Sequence, residues 1–239
     1  MTCVVSIHQP AYLPWLGYFD KIQRADKFIY LDTVQFQKNS FQNRNKIRTQ
    51  QGPMWVTVPL RTKGHLGETL QSTTINNEID WRRKHLGALQ ANYARAVNFD
   101  GIFARLRPFY ESEWTHLSDF CHAMLLSFVE WLSIATPIVK ASDLPPVDAR
   151  KSDLVLELCR QAGATTYLSG SQGRDYLDMN SFADAGIAVE FQDYVHPVYS
   201  QAYPGFVPNM AVVDLLMCER DPARFLRPNA QSSAMSLNP

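Results

Sequence analysis

Two polar residues, His8 and Asp32, each end a short apolar run near the start of this 239-residue chain. An imidazole at a strand end can bind a ligand or accept a proton from a hydroxyl or amine. A carboxylate at the next strand end could orient that imidazole, hold a metal or accept a substrate hydroxyl. Each residue also has a purely structural explanation. His8 could be a core histidine bonded to the backbone, and Asp32 could be a helix cap or a turn residue. We take them as the candidate catalytic residues.

A dense run of amides and cations follows. The stretch from Gln35 to Arg48 contains no acidic residue and includes two phenylalanines. Arginine can hold an anion through two parallel hydrogen bonds, lysine acts as a point charge, and amides give directed hydrogen bonds. A solvated loop is the alternative, but such loops favour Gly, Ser, Asp and Glu. The composition therefore predicts a site for an anionic ligand, with candidate contacts from Gln35, Lys38, Asn43, Arg44 and Lys46.

The segment from Ser169 to Arg174 follows a predicted strand and precedes a predicted helix. Its two glycines permit close approach of backbone to a ligand, and Arg174 could hold an anion. It matches neither the Walker motif nor the dinucleotide fingerprint, and it also reads as a tight strand-to-helix turn. We take Ser169, Ser171 and Arg174 as candidate ligand contacts.

Three residues beside His8 and one on a later helix complete the predicted substrate site. Gln9, Tyr12 and Trp15 belong to the turn and helix start that follow the first apolar run. His85 ends a basic cluster that begins at Trp81, on the first turns of a predicted helix. Cations there oppose the helix dipole, which suggests an anionic partner, although an ordinary solvated face is the commoner reason.

These residues must be positioned by alternating strands and helices. Continuous or alternating apolar runs predict strands at 3–7, 27–32, 54–60, 137–139, 165–168 and 187–191. The polar residues 33–52 predict an extended hairpin or a loop. Three- and four-residue spacing predicts helices at 16–24, 81–96, 101–111, 115–134, 148–159, 178–185 and 210–217. The pattern predicts an α/β fold, Rossmann-like, with a mostly parallel sheet flanked by helices and a helical insertion around 81–134. We expect one domain over 1–226 and a disordered tail over 227–239.

Composition narrows the functional classes. Lys and Arg number 23, as do Asp and Glu, so no overall field draws the chain to nucleic acid or an acidic membrane. The four cysteines are too far apart for a zinc knuckle or a redox motif, which favours reduced thiols and a cytoplasmic location. No apolar run reaches membrane-spanning length. The residues identify no metal site and no cofactor, and the aromatic share of 12% leaves room for a homodimer interface.

The chain resembles the WbqC-like protein family. The likeness rests on the segment from Ile7 to Lys21, on Leu31 to Phe36, and on Gln42 to Ile47. It continues through Asp80-Trp81, Tyr167 to Gly170, Phe206 to Pro208 and Val213 to Leu216, so it covers about residues 4–218. The resemblance implies cytoplasmic proteins of surface-polysaccharide and specialised-metabolite pathways, often where amino sugars are modified, and it supports His8, Asp32, Asn43 and Arg44 as site residues.

A more distant likeness is one of architecture. A strand ending near a histidine, a helix, a basic polar loop and a late Ser-Gly-Ser-x-x-Arg loop resemble nucleotidyltransferases of the HIGH type. The paired histidines of that motif are missing, because only His8 is present.

Two hypotheses about function follow. The first is a transferase that moves an acyl, aminoacyl or nucleotidyl group onto or from a nucleotide-linked amino sugar or a similar metabolite. In it His8 is the general base, Arg44, Lys46 and Arg174 hold phosphates, and the amides orient the acceptor. The second is a non-catalytic accessory protein that recognises a charged carrier, tRNA or a partner enzyme. The density of hydrogen-bonding side chains near two strand ends favours a concave small-molecule site, and hence the first.

Overall fold

The computed structural model describes residues 2–61 and 67–226; the predicted tail, 227–239, lies outside them. The strands in this part of the chain are β1 (Val4–His8), β2 (Lys27–Tyr30), β3 (Arg44–Thr49), β4 (Gly52–Thr57), β5 (Ile138–Lys140), β6 (Thr166–Ser169) and β7 (Ala188–Phe191). The helices are α1 (Leu16–Gln23), α2 (Trp81–Tyr93), α3 (Phe99–Glu111), α4 (Leu117–Trp131), α5 (Lys151–Gln161), α6 (Met179–Asp184) and α7 (Val212–Cys218). The predicted α/β class is confirmed.

Five strands form one wholly parallel sheet in the order β5-β2-β1-β6-β7. Counted along the chain within this sheet, the order is third, second, first, fourth, fifth, which is the order of doubly wound nucleotide-binding folds. Central strand β1 is buried on both faces, as its run of apolar residues requires. Its one interior polar side chain, Ser6, donates a hydrogen bond to the Leu168 carbonyl of β6 at 2.8 Å.

Helices cover both faces of the sheet. Tyr18 of α1 packs on Phe28, and Phe19 of α1 packs on Phe128 of α4. On the opposite face, Phe182 of α6 stacks on Tyr167 of β6, with α5 in the same apolar cluster. The core is therefore split into two layers by the sheet.

The predicted helical insertion is present as α2, α3 and α4, but it shares its apolar cluster with α1 and the sheet. The hydroxyl of Tyr30 on β2 donates to the Ser118 carbonyl of α4 at 2.9 Å. Because α4 covers β2 directly, this block completes one layer of the α/β fold and does not form a separate core.

The strand predicted at 54–60 is present in part, but it does not belong to the parallel sheet. Its first residues belong to β4, which pairs antiparallel with β3 in a separate two-stranded sheet. The third strand of the parallel sheet is instead β5. The alternation that predicted the strand belongs to a hairpin strand that is largely exposed: Met54 and Trp55, which point to opposite faces, are 38% and 43% exposed, and only Val56 is buried.

The chain leaves neighbouring strands β1 and β6 in opposite directions. After β1 it enters α1 on one face, and after β6 it passes through a 3₁₀ turn, Ser171–Asp175, to α6 on the other face. A crevice opens at such a switch point because neither connection covers the gap between the two strand ends.

Candidate functional site

The carboxyl ends of β1 and β6 border a crevice with two lobes, of about 500 and 660 Å³. The first lobe extends towards α5, where Leu154 and Tyr167 line it. The second extends towards α1, where Trp15 and Tyr18 line it. The residues that line both lobes are His8, Gln9, Lys21, Gln37, Gly170 and Gln172.

The His8 ring borders both lobes and packs against Tyr18 and Trp15, with ring centres 4.6 and 5.6 Å away. Its Nδ1 lies 2.9 Å from the Gln9 carbonyl oxygen. Because a carbonyl only accepts, Nδ1 carries the proton and Nε2 carries the lone pair. Burial, and secondarily the charge of Lys21, lower the pKa of His8 to about 3. The ring is therefore a neutral hydrogen-bond acceptor at pH 7.

Lys21 of α1 also lines both lobes, and it is only 3% exposed. Its Nζ donates to the Ile7 carbonyl at 3.1 Å, and no ion pair joins it to an acidic side chain of the described residues. The neighbouring Asp20 accepts from Gln192 instead, at 2.6 Å. Burial lowers the pKa of Lys21 to about 7. The crevice thus holds an ammonium whose three donors are incompletely used.

Glutamine side chains connect the loop after β2 to the strand end. Gln9 Oε1 accepts from Gln42 Nε2 at 2.6 Å, and Gln42 Oε1 accepts from the Gln37 backbone amide at 2.8 Å. Buried Gln42 therefore fixes the position of the loop against the crevice. Gln35 lines the first lobe, as the composition of this loop had indicated.

The turn after β6 forms the opposite wall. Ser169 lines the first lobe and Ser171 the second. Ser169 Oγ donates to the Gly170 carbonyl at 3.1 Å, and Gly173 lies so close to that hydroxyl that a Cβ would overlap it. Arg174 is not part of the crevice lining; its guanidinium stacks on Phe191, 4.1 Å from the ring centre. The phosphate-holding role predicted for Arg174 finds no support in this position.

Asp32 is not brought to the imidazole. Its Oδ1 accepts from the Ser142 backbone amide at 3.0 Å and its Oδ2 from the Ser142 hydroxyl at 2.8 Å. The carboxylate is fully buried and fixes the turn that follows β5. The structural reading of Asp32 therefore accounts for its contacts, and the partner that orients His8 is the Gln9 carbonyl.

Tyr12 and His85 meet each other in the core, away from the crevice lining. The Tyr12 hydroxyl lies 2.8 Å from His85 Nδ1 and 2.6 Å from the Tyr110 hydroxyl. His85 also donates to the Thr57 carbonyl, so its Nδ1 accepts from Tyr12. Burial lowers the pKa of His85 to about 4. The two residues form a satisfied polar network between α2 and α3, which explains why both are present without a ligand.

The cationic run that follows Gln42 faces away from the crevice. Asn43 donates to the Val58 carbonyl at 2.9 Å, which is a structural contact. Arg44 and Lys46 lie over the Trp55 ring on the outer face of the hairpin, and Lys38 is exposed on the loop. The single anion site predicted between Gln35 and Lys46 is thus divided between crevice and surface.

Within the described residues, the crevice brings together six of the predicted site residues, namely His8, Gln9, Trp15, Gln35, Ser169 and Ser171. Sequence reasoning missed Lys21, Gln37, Gln42 and Tyr194. Lys21 lies in the opening motif, and its signal was a charged residue in the middle of an apolar helix. No cluster of three or more His, Cys, Asp or Glu in residues 2–61 and 67–226 is placed to hold a metal ion.

Comparison with known proteins places the chain in a family. The model of the WbqC-like protein family matches residues 9–224, so the chain belongs to that family. An uncharacterised protein of Mycobacterium tuberculosis, Rv1507c, is 38% identical over 214 residues, which cover 89% of this chain and 92% of that protein. No solved structure matches the chain. None of the helices in the described part of the chain has the length and apolar character needed to cross a bilayer.

Proposed function

We propose that the protein is a transferase that binds a phosphate-bearing small molecule in the crevice between β1 and β6. The substrate class, a nucleotide-linked amino sugar or similar metabolite, comes from the pathways that the family resemblance implies. The transferred group is acyl, aminoacyl or nucleotidyl. One observation carries the proposal: the buried Lys21 ammonium has the Ile7 carbonyl as its hydrogen-bond acceptor and no anionic partner among the described residues.

A buried charge without a counter-ion is unfavourable, and proteins normally pair it or neutralise it. The pKa of about 7 for Lys21, lowered by burial, expresses this cost. A phosphate would accept from the remaining Lys21 donors and raise the pKa of the ammonium again. Ligand binding is therefore coupled to proton uptake at and above pH 7.

His8 is the general base of the transfer step, which accepts a proton from the substrate. Its Nε2 lone pair is available to a hydroxyl or amine of the acceptor substrate. The charge of Lys21 is one cause of the low pKa of His8. An anion that neutralises Lys21 removes this repulsion and so raises the pKa of the imidazole, while burial, the larger cause of the low pKa, remains.

The competing function is a non-catalytic accessory protein that recognises a charged carrier, tRNA or a partner enzyme. Its support is the outward position of Arg44 and Lys46 on the hairpin. It makes no use of the buried Lys21, which is why we prefer the transferase.

The test is a thermal-shift and calorimetric titration with ATP, acetyl-CoA and nucleotide-linked amino sugars, each with and without magnesium. We expect one of these anions to stabilise the protein by about 2.7 kcal/mol at a hundredfold excess over Kd. Lys21→Met should abolish the stabilisation, whereas Lys84→Met, which removes an exposed charge from α2, should leave it intact. His8→Ala should keep the binding and lose turnover. A stabilisation that survives in Lys21→Met would contradict the proposal, as would a protein that no small anion stabilises.

A further inference from the structure

A series of aromatic contacts connects the outer face of the hairpin to the crevice. The Trp55 and Phe41 rings are 5.7 Å apart, Phe41 and Trp15 are 5.3 Å apart, and Trp15 and His8 are 5.6 Å apart, centre to centre. Trp55 is 43% exposed and Phe41 is 41% exposed, so the outer end of the series is open to solvent. The rings form a continuous track from the surface to the imidazole.

Two cations accompany the outer rings. The Arg44 guanidinium carbon lies 4.4 Å from the centre of the Trp55 ring, and Lys46 Nζ lies 5.1 Å from it. Arg44 is fixed further by donating to the Asn39 carbonyl at 2.7 Å. Neither cation forms an ion pair with an acidic side chain in the described part of the chain. The aromatic rings therefore hold positive charges that remain available to an anionic partner.

We propose that this surface, the aromatic–cationic shelf of Phe41, Arg44, Lys46 and Trp55, binds the end of a single-stranded polynucleotide. Bases stack on exposed rings without regard to sequence, and cations beside those rings meet the phosphates. The binding goes beyond the proposed function. The direction of the strand, with its terminus at His8, rests on that function, because the track ends at the same imidazole.

Other occupants fit the shelf less well. A second copy of this chain docked with the shelf on the two-fold axis would bring Arg44 and Lys46 close to their own counterparts, and these like charges repel. A single nucleotide would use one ring and leave the rest of the track uncovered. The neutral net charge of the whole chain argues against a long nucleic-acid footprint and favours contact with a few nucleotides at a strand end.

The experiment measures binding of fluorescein-labelled single-stranded RNA and DNA oligonucleotides by anisotropy, with duplexes and mononucleotides alongside. We expect single strands to bind more tightly than duplexes or mononucleotides. Trp55→Ala should weaken binding by about tenfold or more through lost stacking. Arg44→Ala should weaken it severalfold and reduce the slope of log affinity against log salt by about 0.7. Comparison of RNA with DNA shows whether the 2′-hydroxyl of ribose contributes to binding.

The matched control is Arg105→Ala, which removes a guanidinium stacked on Trp131 elsewhere on the surface, at 5.6 Å; it should change nothing. Lys21→Met separates the two proposals, because it should abolish small-anion binding and leave the shelf contribution intact. Oligonucleotide binding that is unchanged in both Trp55→Ala and Arg44→Ala would overturn the proposal. So would equal affinity for a mononucleotide, or a dimer that Trp55→Ala dissociates without any oligonucleotide binding.

Discussion

The Lys21 ammonium and the His8 imidazole interact through the crevice between β1 and β6. Each is held by a backbone carbonyl, Ile7 for the lysine and Gln9 for the histidine, and neither is held by a carboxylate. The charge on one disfavours the charge on the other, in addition to the desolvation that both experience. A site of this kind favours an anionic ligand over a cationic one, because an anion offsets the unpaired charge of Lys21 and the repulsion that this charge exerts on a protonated His8.

The uncompensated lysine predicts a distinctive dependence of stability on pH. Its pKa is about 7 when folded against 10.5 when exposed, so between these values the unfolded chain binds a proton that the folded chain does not. The free energy of unfolding should therefore rise with pH across this window, and the penalty is fully present below pH 7. Lys21→Met should be more stable than the parent at pH 7 by a few kcal/mol, since each pKa unit corresponds to about 1.4 kcal/mol.

Urea unfolding of Lys21→Met and of the parent, at intervals from pH 7 to pH 10, measures the difference in their free energies of unfolding. The contributions of ionisable groups that both proteins share cancel in this difference. Lys84→Met should show the pH dependence of the parent, because Lys84 is exposed. Parallel curves for Lys21→Met and the parent would mean that Lys21 is not desolvated in the folded protein.

At the scale of elements, the parallel strands were predictable, whereas the polar stretch at 33–52 allowed either an extended hairpin or a loop. The runs that became β1 and β6 are apolar because both sheet faces are covered, so their ends located His8 and Ser169. In β3 the register pairs Lys46 with Trp55 and Ile47 with Met54. Arg44 and Lys46 stay partly exposed beside Trp55, whereas Arg48, the third cation of the strand, is buried. A stretch so rich in amides does not decide between the two, and only tertiary contacts show which of its polar groups reach the crevice.

Lys21 shows the same limit of sequence-based prediction, because it lines the crevice and was not predicted as a site residue. Its spacing within α1 shows that it shares a face with Gly17, but nothing in the sequence shows that this face meets the switch point. The position depends on the strand order, in which β6 pairs with β1 from a distance of about 160 residues along the chain.

The tight turn after β6 is a second element whose geometry is testable. A Cβ on Gly173 would overlap Ser169 Oγ and lie 3.0 Å from Leu177 Cδ1. Gly173→Ala should therefore shift the turn that carries Gly170 and Gln172, lower stability by about 1–3 kcal/mol, and weaken ligand binding in the crevice. Thermal unfolding measures the first effect and titration with the stabilising anion measures the second.

Gly87→Ala is the matched control, because Gly87 lies within α2 and a Cβ there meets nothing within 4 Å. It should stabilise the protein by about 0.5–1 kcal/mol. A Gly173→Ala protein as stable as the parent would show that Ser169 can rotate away without cost.

At the scale of the whole molecule, the C-terminal segment ties distant parts of the fold together. The Ala211 amide donates to the Lys46 carbonyl of β3, and the Val212 amide donates to the Pro14 carbonyl that follows β1, both at 2.8 Å. Trp15 follows Pro14 directly in the chain and lines the second lobe of the crevice. Residues 211 and 212, far along the chain, therefore fix the positions of both the second lobe and the hairpin.

Asp214 is the centre of this connection, and it is fully buried. Its carboxylate accepts from the Tyr93 and Tyr199 hydroxyls at 2.7 Å each and from Gln201 Nε2 at 2.8 Å. Asp214→Ala would leave these donors buried without an acceptor, and each such group costs about 1–3 kcal/mol. We expect a loss of about 3–5 kcal/mol in the free energy of unfolding, measured by urea denaturation. Asp184→Ala, at an exposed position of α6, should change it by about 0.5 kcal/mol or less. A loss below about 1 kcal/mol for Asp214→Ala would show that the segment is held by apolar packing alone.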